Sequence, residues 1–406
     1  MPIPQRTVLN NGIVVLVVEN NVVDLVSAKF FVRYGAQVET PTQAGLVHLV
    51  SSVITKGTAN FSAQEIAEQV ESLGASLSAE ANSDYLLLSL KAIASDFPSL
   101  FKLGAEILRC PSFPPSEIEL ERHLTIQAIK SQQERPFALG YDRLQALLFG
   151  EHPYGLPLLG LSHTVAQLEQ GDLQAYHQQY VQPQNLVVSM AGKISHEQAM
   201  QLVTEVLGDW QTNNTCCPPI NQPPPHTPTR ERISQNNQQA IIMLGYPAVS
   251  AYSADYPAMR LIATYLGSGL SSRLFVELRE KRGLAYEVSA FYPTRQLTSL
   301  LVAYMGTATG NMETALAGLQ AECDRLAQQP LTAEELQLAK SKLLGQYALG
   351  KQTNSQLAQT YGLYECLGLG ADFDQRFVEQ VSAVTVESLQ EVAQACFREP
   401  TVVVVG

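Results

Sequence analysis

The sequence predicts an α+β protein of two homologous halves, each a mainly antiparallel sheet with helices packed on one face, closing on one another as a clamshell. Three observations predict it: a proline-dense linker near mid-chain, the same order of elements on either side, and strands leading into runs of helical pattern. The linker covers 212–228 and reads TNNTCCPPINQPPPHTP, polar and without apolar periodicity. It separates an N-terminal half, 1–211, from a C-terminal half, 229–406. The full 406 residues suffice for more than one core.

Each half opens with strands. Residues 12–18 and 25–33 alternate as strands do, and so do 239–245 and 284–292. Helices follow. Pro114-Pro115-Ser116-Glu117 and Pro330-Leu331-Thr332-Ala333-Glu334-Glu335 each offer a hydroxyl N-cap and acids in the first turn. Each half then ends on a β-branched run closed by glycine, Asn185–Gly192 in the first and Thr401–Gly406 in the second. From Ser116 to Gly192 is 76 positions and from Thr332 to Gly406 is 74, a match hard to obtain from unrelated domains.

Composition narrows the function. The 38 acids against 26 bases give a net charge of −12, which argues against nucleic acid and anionic membranes as partners. No segment approaches the ~20 apolar residues of a membrane span. The first twelve residues, MPIPQRTVLNNG, have no signal-peptide stretch, so a cytoplasmic or organelle matrix or stroma setting is expected. Cys110, Cys216, Cys217, Cys323, Cys366 and Cys396 are scattered without a CxxC, which predicts thiols in a reducing compartment and no disulfide framework.

Two segments carry candidate chemistry. The first is Gly45–Thr58, with His48, Ser51, Ser52 and then Lys56-Gly57-Thr58. The second runs from Leu266 to Ser289: a glycine-containing loop, a Ser-capped helix ending at Gly283 behind basic side chains, and a strand from Leu284. Leu284, Tyr286, Val288 and Ala290 are expected on one face of that strand. Gly267 and Gly269 are too sparse for a phosphate loop, since no GxxxxGK[ST] occurs. Arg279 and Tyr286 are both hydrogen-bond donors flanking a tight turn, suited to a peptide carbonyl or its developing oxyanion. Aligning Gly74 with Gly283 sets Val70 against Arg279 and Leu77 against Tyr286, so the repeat itself tolerates apolar residues at both places. Lys281 and Arg282 read as solvated helix-end charges.

Gly45–Thr58 resembles the zinc helix of the pitrilysin and mitochondrial-processing-peptidase family, the inverzincins, whose signature is H-x-x-E-H. Glu80–Tyr85 and His152-Pro153-Tyr154-Gly155 also look like family landmarks, and the resemblance covers essentially the whole chain. It implies zinc ligands at His48, Ser52 and Ala128 and a general base at Ser51; only His48 is of the right type. A catalytic zinc needs three protein ligands and an open water position. No metal is therefore expected in this chain. His48 reads as a packed or capping residue before it reads as a ligand recruited to a new site, and the other histidines show no paired spacing. In the family an Arg, six residues, then a Tyr binds substrate carbonyl oxygen opposite the zinc, which the resemblance assigns to Arg279 and Tyr286.

The resemblance implies a non-catalytic, substrate-binding subunit, inactive alone. Its partner would be a homologous subunit that carries H-x-x-E-H and holds the zinc, and its substrates unstructured peptides. A homodimer stays open. The alternative is a purely structural or peptide-holding homologue with no proteolytic role. A self-sufficient hydrolase lacks support, because no G-x-S-x-G elbow or Cys/His signature occurs.

Overall fold

A computed structural model of the chain describes residues 3–212, 219–235 and 239–406. Cys216 and Cys217, with the linker residues around them, lie outside the described residues. The first half contributes strands β1 (Gln5–Val8), β2 (Val14–Glu19), β3 (Leu25–Val32), β4 (Ser76–Ala81), β5 (Leu86–Ile93) and β6 (Leu186–Gly192). Its helices are α1 (Leu46–Val53), α2 (Ala63–Glu71), α3 (Phe97–Arg109), α4 (Pro115–Gln133), α5 (Pro136–Phe149), α6 (Ser162–Val165), α7 (Gln170–Tyr180) and α8 (His196–Leu207). The second half contributes β7 (Arg230–Ile233), β8 (Gln239–Ala248), β9 (Glu287–Phe291), β10 (Ser299–Ala308) and β11 (Thr401–Val405). Its helices are α9 (Tyr256–Gly267), α10 (Met312–Gln328), α11 (Ala333–Leu349), α12 (Asn354–Cys366), α13 (Phe373–Ala383) and α14 (Val386–Cys396), with a π-helical turn at Phe275–Lys281.

The two sheets are copies. The first is ordered β1-β2-β6-β3-β5-β4 and the second β7-β11-β8-β10-β9. Setting aside β1, the orders match strand for strand. In each, the first pair is parallel, β2 with β6 and β7 with β11, and the remaining pairs are antiparallel. Local chemistry repeats too. Gly74 and Gly283 both take φ near +60°, at 61° and 63°, each ending a helical turn just before an edge strand.

Helix starts follow capping chemistry. Ser62 and Glu65 form a capping box at α2, and Thr353 with Gln356 does so at α12. Thr332 caps α11 as expected, accepting from the Glu335 N–H at 3.1 Å. Ser116 does not cap: α4 already starts at Pro115, where a missing N–H costs nothing.

The compact units do not coincide with the sequence halves. One unit is Met1–Ile129 with Pro157–Ile220 and Gly350–Asp374; the other is Lys130–Leu156 with Asn221–Leu349 and Gln375–Gly406. Each unit thus takes one helix from the opposite half of the sequence, α12 into the first and α5 into the second. The two helices occupy equivalent places: α12 packs on β3 and β6, and α5 on the matching strands β8 and β11.

In the first unit most helices cover one face of the sheet, where Val15, Val17, Phe30 and Leu88 meet Val50, Phe101, Leu173 and Val203. On the other face Leu16, Phe31, Leu87 and Val187 pack against Leu357, Ala358 and Tyr361 of α12. Covered on both faces, β2 and β6 are buried almost throughout, so simple alternation disappears there. Gly362 permits the close approach of α12: a Cβ there would sit 2.3 Å from the Phe31 ring. In the second unit the sizes are exchanged, with Leu144 and Leu148 of α5 lying over Gly245.

Ion pairs fix α12 in place. Buried Glu365 receives Arg6 and Arg33, and Arg33 also donates to the Glu365 and Cys366 carbonyls at the helix C-terminus. Lys351 and Asp374, near the two ends of the inserted segment, pair at 2.5 Å. Among the described residues no helix is long and apolar enough to cross a membrane.

Candidate functional site

The His48 segment is a short, mostly buried helix in the first unit. Gly45 takes φ 92° at its start, and buried Glu39 accepts from the Gly45 and Val47 N–H groups at 3.0 and 2.7 Å. Burial pushes the Glu39 carboxyl up to about 8, against the pull of those two N–H groups. One carboxylate thereby satisfies donors at the helix start that would otherwise be buried without partners.

His48, Ser51 and Ser52 share α1, but their polar atoms do not form a ligand set. Ser51 and Ser52 both donate to the His48 carbonyl, at 2.7 and 3.1 Å. Burial lowers the His48 pKa, favouring neutral imidazole. Ala128 is exposed on α4, between buried Thr125 and Ile129, and brings no donor atom. One imidazole, two hydroxyls engaged by backbone and a methyl group do not fit a catalytic zinc. Among the described residues no three His, Cys, Asp or Glu side chains gather as a metal-binding group.

The neighbouring landmarks serve the fold. Thr58 Oγ1 accepts from the Asn60 and Phe61 N–H groups and donates to Glu106, fixing the Lys56-Gly57-Thr58 turn. Lys56 pairs with Glu121 at 3.4 Å. Glu80 and Ala81 end β4, and 82–85 form the connection to β5. His152 Nδ1 accepts from the Tyr154 N–H at 3.1 Å, closing the turn in which Tyr154 is buried.

The second segment, in the other unit, is different in character. Phe275–Lys281 is π-helical and has no side-chain cap, so the expected Ser cap does not form. The chain reverses at Gly283, and the Leu284 N–H donates to the Leu278 carbonyl at 2.9 Å. Arg279 lies on the near side of this turn, its guanidinium 4.9 Å from the Phe275 ring centroid. Tyr286 follows the turn and is 57% exposed. It is not a strand residue as expected: β9 begins at Glu287, and Val288 and Ala290 are the buried face. Edge position explains this, because Tyr286 donates one backbone bond to Gly306 but has no covering element. Among the described residues neither Arg279 nor Tyr286 forms a side-chain hydrogen bond or ion pair. Their counterparts in the first unit, Val70 and Leu77, are buried and half-buried.

The cations around them are committed elsewhere. Arg282, expected to be solvated, bonds buried Glu322 at 2.8 Å, and Arg273 bonds the same carboxylate at 2.8 Å. Lys281 pairs with Glu277 one helical turn away.

This fold and this pair of segments define a class of protein. The description "Insulinase (Peptidase family M16)" matches residues 14–162, and "Peptidase M16 inactive domain" matches residues 167–343. The chain belongs to the M16, or pitrilysin, peptidase family, with a degenerate zinc motif. It is 25% identical to the uncharacterized zinc protease YmxG of Bacillus subtilis over 97% of this chain and 96% of that one. An uncharacterized zinc protease of Streptomyces coelicolor is 27% identical, over 99% of this chain and 89% of its own. Among solved structures, a protease from Helicobacter pylori has a TM-score of 0.95 at 20% identity, covering 100% of both chains. A peptidase M16 inactive domain from Pseudomonas fluorescens has a TM-score of 0.93 at 23% identity, covering 99% of this chain and 98% of its own.

Sequence reasoning missed Glu39 and, on β3, Lys29. The signal for Lys29 was available as a lone lysine inside the apolar run Leu25–Val32.

Proposed function

We propose that this chain is the non-catalytic, substrate-binding subunit of a two-subunit zinc peptidase, presenting Arg279 and Tyr286 to a peptide bond cleaved at a homologous partner's H-x-x-E-H site. The observation that carries the reading is that both side chains are exposed and, among the described residues, make no hydrogen bond or ion pair, where the repeat holds Val70 and Leu77. A fold that needed neither group would be expected to keep apolar residues at both turns. The guanidinium and phenol would hold the scissile carbonyl oxygen and the charge that develops on it. Metal-activated water would come from the partner, because the donors on α1 and α4 cannot supply it.

Relatives of the same family with an intact motif are the natural partners to test. A purified H-x-x-E-H homologue from the same organism, mixed with this chain, should elute as a 1:1 complex. It should cleave an unstructured peptide at least tenfold faster than either chain alone. If the homologue is equally active by itself, the structural or peptide-holding reading takes the place of this one.

A further inference from the structure

One face of the first unit's sheet carries a polar row remote in sequence from His48, Arg279 and Tyr286. The register sets Ser78 of β4 opposite Ser89 of β5, Ser89 opposite Lys29 of β3, and Lys29 opposite Ser189 of β6. These four residues share the face opposite Phe30 and Leu88, because side chains alternate along each strand. Ser189 ends the row beneath Gly362 of α12, which packs mainly on β3 and β6, and Ser78 of β4 and Lys91 of β5 are exposed. One step along, Lys91 of β5 lies opposite Ser27 of β3 and Ser76 of β4.

Lys29 Nζ donates to Ser89 Oγ at 2.8 Å. Among the described residues neither Lys29 nor Lys91 forms an ion pair, in a chain with 38 acids and 26 bases. Two charges on this face act on Lys29 from beyond ion-pair range, Glu80, exposed on β4, and Lys91. Burial lowers the Lys29 pKa, so keeping the cation there has a cost.

The repeat shows that the fold does not require it. Aligning the closing glycines Gly192 and Gly406 sets Ser189 against Val403, whose partners across the ladder are Lys29 and Met243. A methionine fills the same place on β8 without a desolvated charge. Nor is Lys29–Ser89 a nucleophilic dyad: the strand is bonded on both sides, so no free backbone N–H flanks Ser89 to stabilise an oxyanion.

We propose that the strip formed by Ser78, Ser89, Lys29 and Lys91 binds the carboxylate side chains of an acidic peptide laid over the uncovered part of this face. Lys29 has two further N–H donors, and Ser78 and Ser89 add hydroxyls. Lys29 and Lys91 are diagonal neighbours, with Cα atoms about 7–8 Å apart, so together they can take two neighbouring acids. The proposal rests on the peptide-binding part of the function proposed above and adds the class of peptide. Charge complementarity selects this occupant over a neutral or basic one.

The test is fluorescence anisotropy at low salt with the full-length chain. The probes are a short unstructured peptide carrying adjacent glutamates and its glutamine twin. The glutamate peptide is expected to bind about tenfold tighter, with the preference fading as salt rises. Lys29→Met, which copies the second half, and Lys91→Gln should each reduce the preference while leaving glutamine-peptide binding unchanged. Equal binding of the two peptides, no binding of either, or an undiminished preference in both variants would overturn the proposal. Arg279→Ala should not alter the preference. A failed complementation experiment with the preference intact would therefore count against the partner reading alone.

Discussion

At the residue scale, the polar groups of the degenerate motif are already engaged within their own helix. Ser51 and Ser52 spend their hydrogens on one carbonyl of their own helix, and Ala128 has nothing to offer. Zinc affinity depends on ligand number and on a supported geometry. We therefore expect less than a tenth of a zinc per chain after dialysis against trace metal, measured by elemental analysis. One zinc per chain, lost in His48→Ala, would contradict this. Replacing Ser51 with Glu and Ser52 with His should leave peptidase activity near background in the isolated chain, since the third ligand is still missing. Adding Ala128→Glu is the change that should raise metal uptake, and uptake by the double variant alone would show the third ligand to lie elsewhere.

At the element scale, two features make stability claims. Glu39 holds the start of α1 with its carboxyl pushed up to about 8. A carboxyl whose folded pKa lies above its unfolded one contributes stability that is full below the unfolded value, near 4.5, and is lost as pH rises through about 8. Denaturant unfolding should accordingly show stability falling over that window by on the order of 1–3 kcal/mol. Glu39→Gln should flatten the slope; parallel curves for the two proteins would contradict it. Gly362 makes the second claim. Gly362→Ala forces a methyl group into Phe31 and should cost about 1–3 kcal/mol. Phe31→Leu should recover part of this in a double-mutant cycle, and strictly additive losses would show that the contact is not the cause.

How far the sequence revealed these elements depends on the range of the contacts that make them. Terminal runs such as Thr401–Val405, the Thr332 cap and the Gly283 turn are local, and each was legible from neighbouring residues. Tyr286 shares the parity of Val288, yet an edge position leaves it exposed, which alternation alone does not encode. Ser116 has a cap's residue type, but the helix already includes Pro115 before it. The sheet on which α5 and α12 pack was not legible, because an apolar helix face does not name its partner. The big-to-small exchange between Phe31–Gly362 and Leu144–Gly245 becomes visible only once the strands are in register.

At the scale of the whole molecule, the chain is one unit written twice, with an equivalent helix of each copy serving the other's sheet. That arrangement makes each compact unit depend on both halves of the sequence, so neither half is expected to fold normally when cut at the linker. Duplication also explains how the candidate chemistry could diverge. The first copy has a degenerate zinc helix and apolar residues at Val70 and Leu77, while the second has Arg279 and Tyr286 exposed at the matching turn. The most direct test of this account uses the purified complex with an H-x-x-E-H homologue and measures kcat/KM on an unstructured peptide for wild type, Arg279→Ala and Tyr286→Phe. Each variant should lower kcat/KM by roughly 10²–10³, with complex formation and the partner's zinc content unchanged. Wild-type rates from both variants would contradict the account.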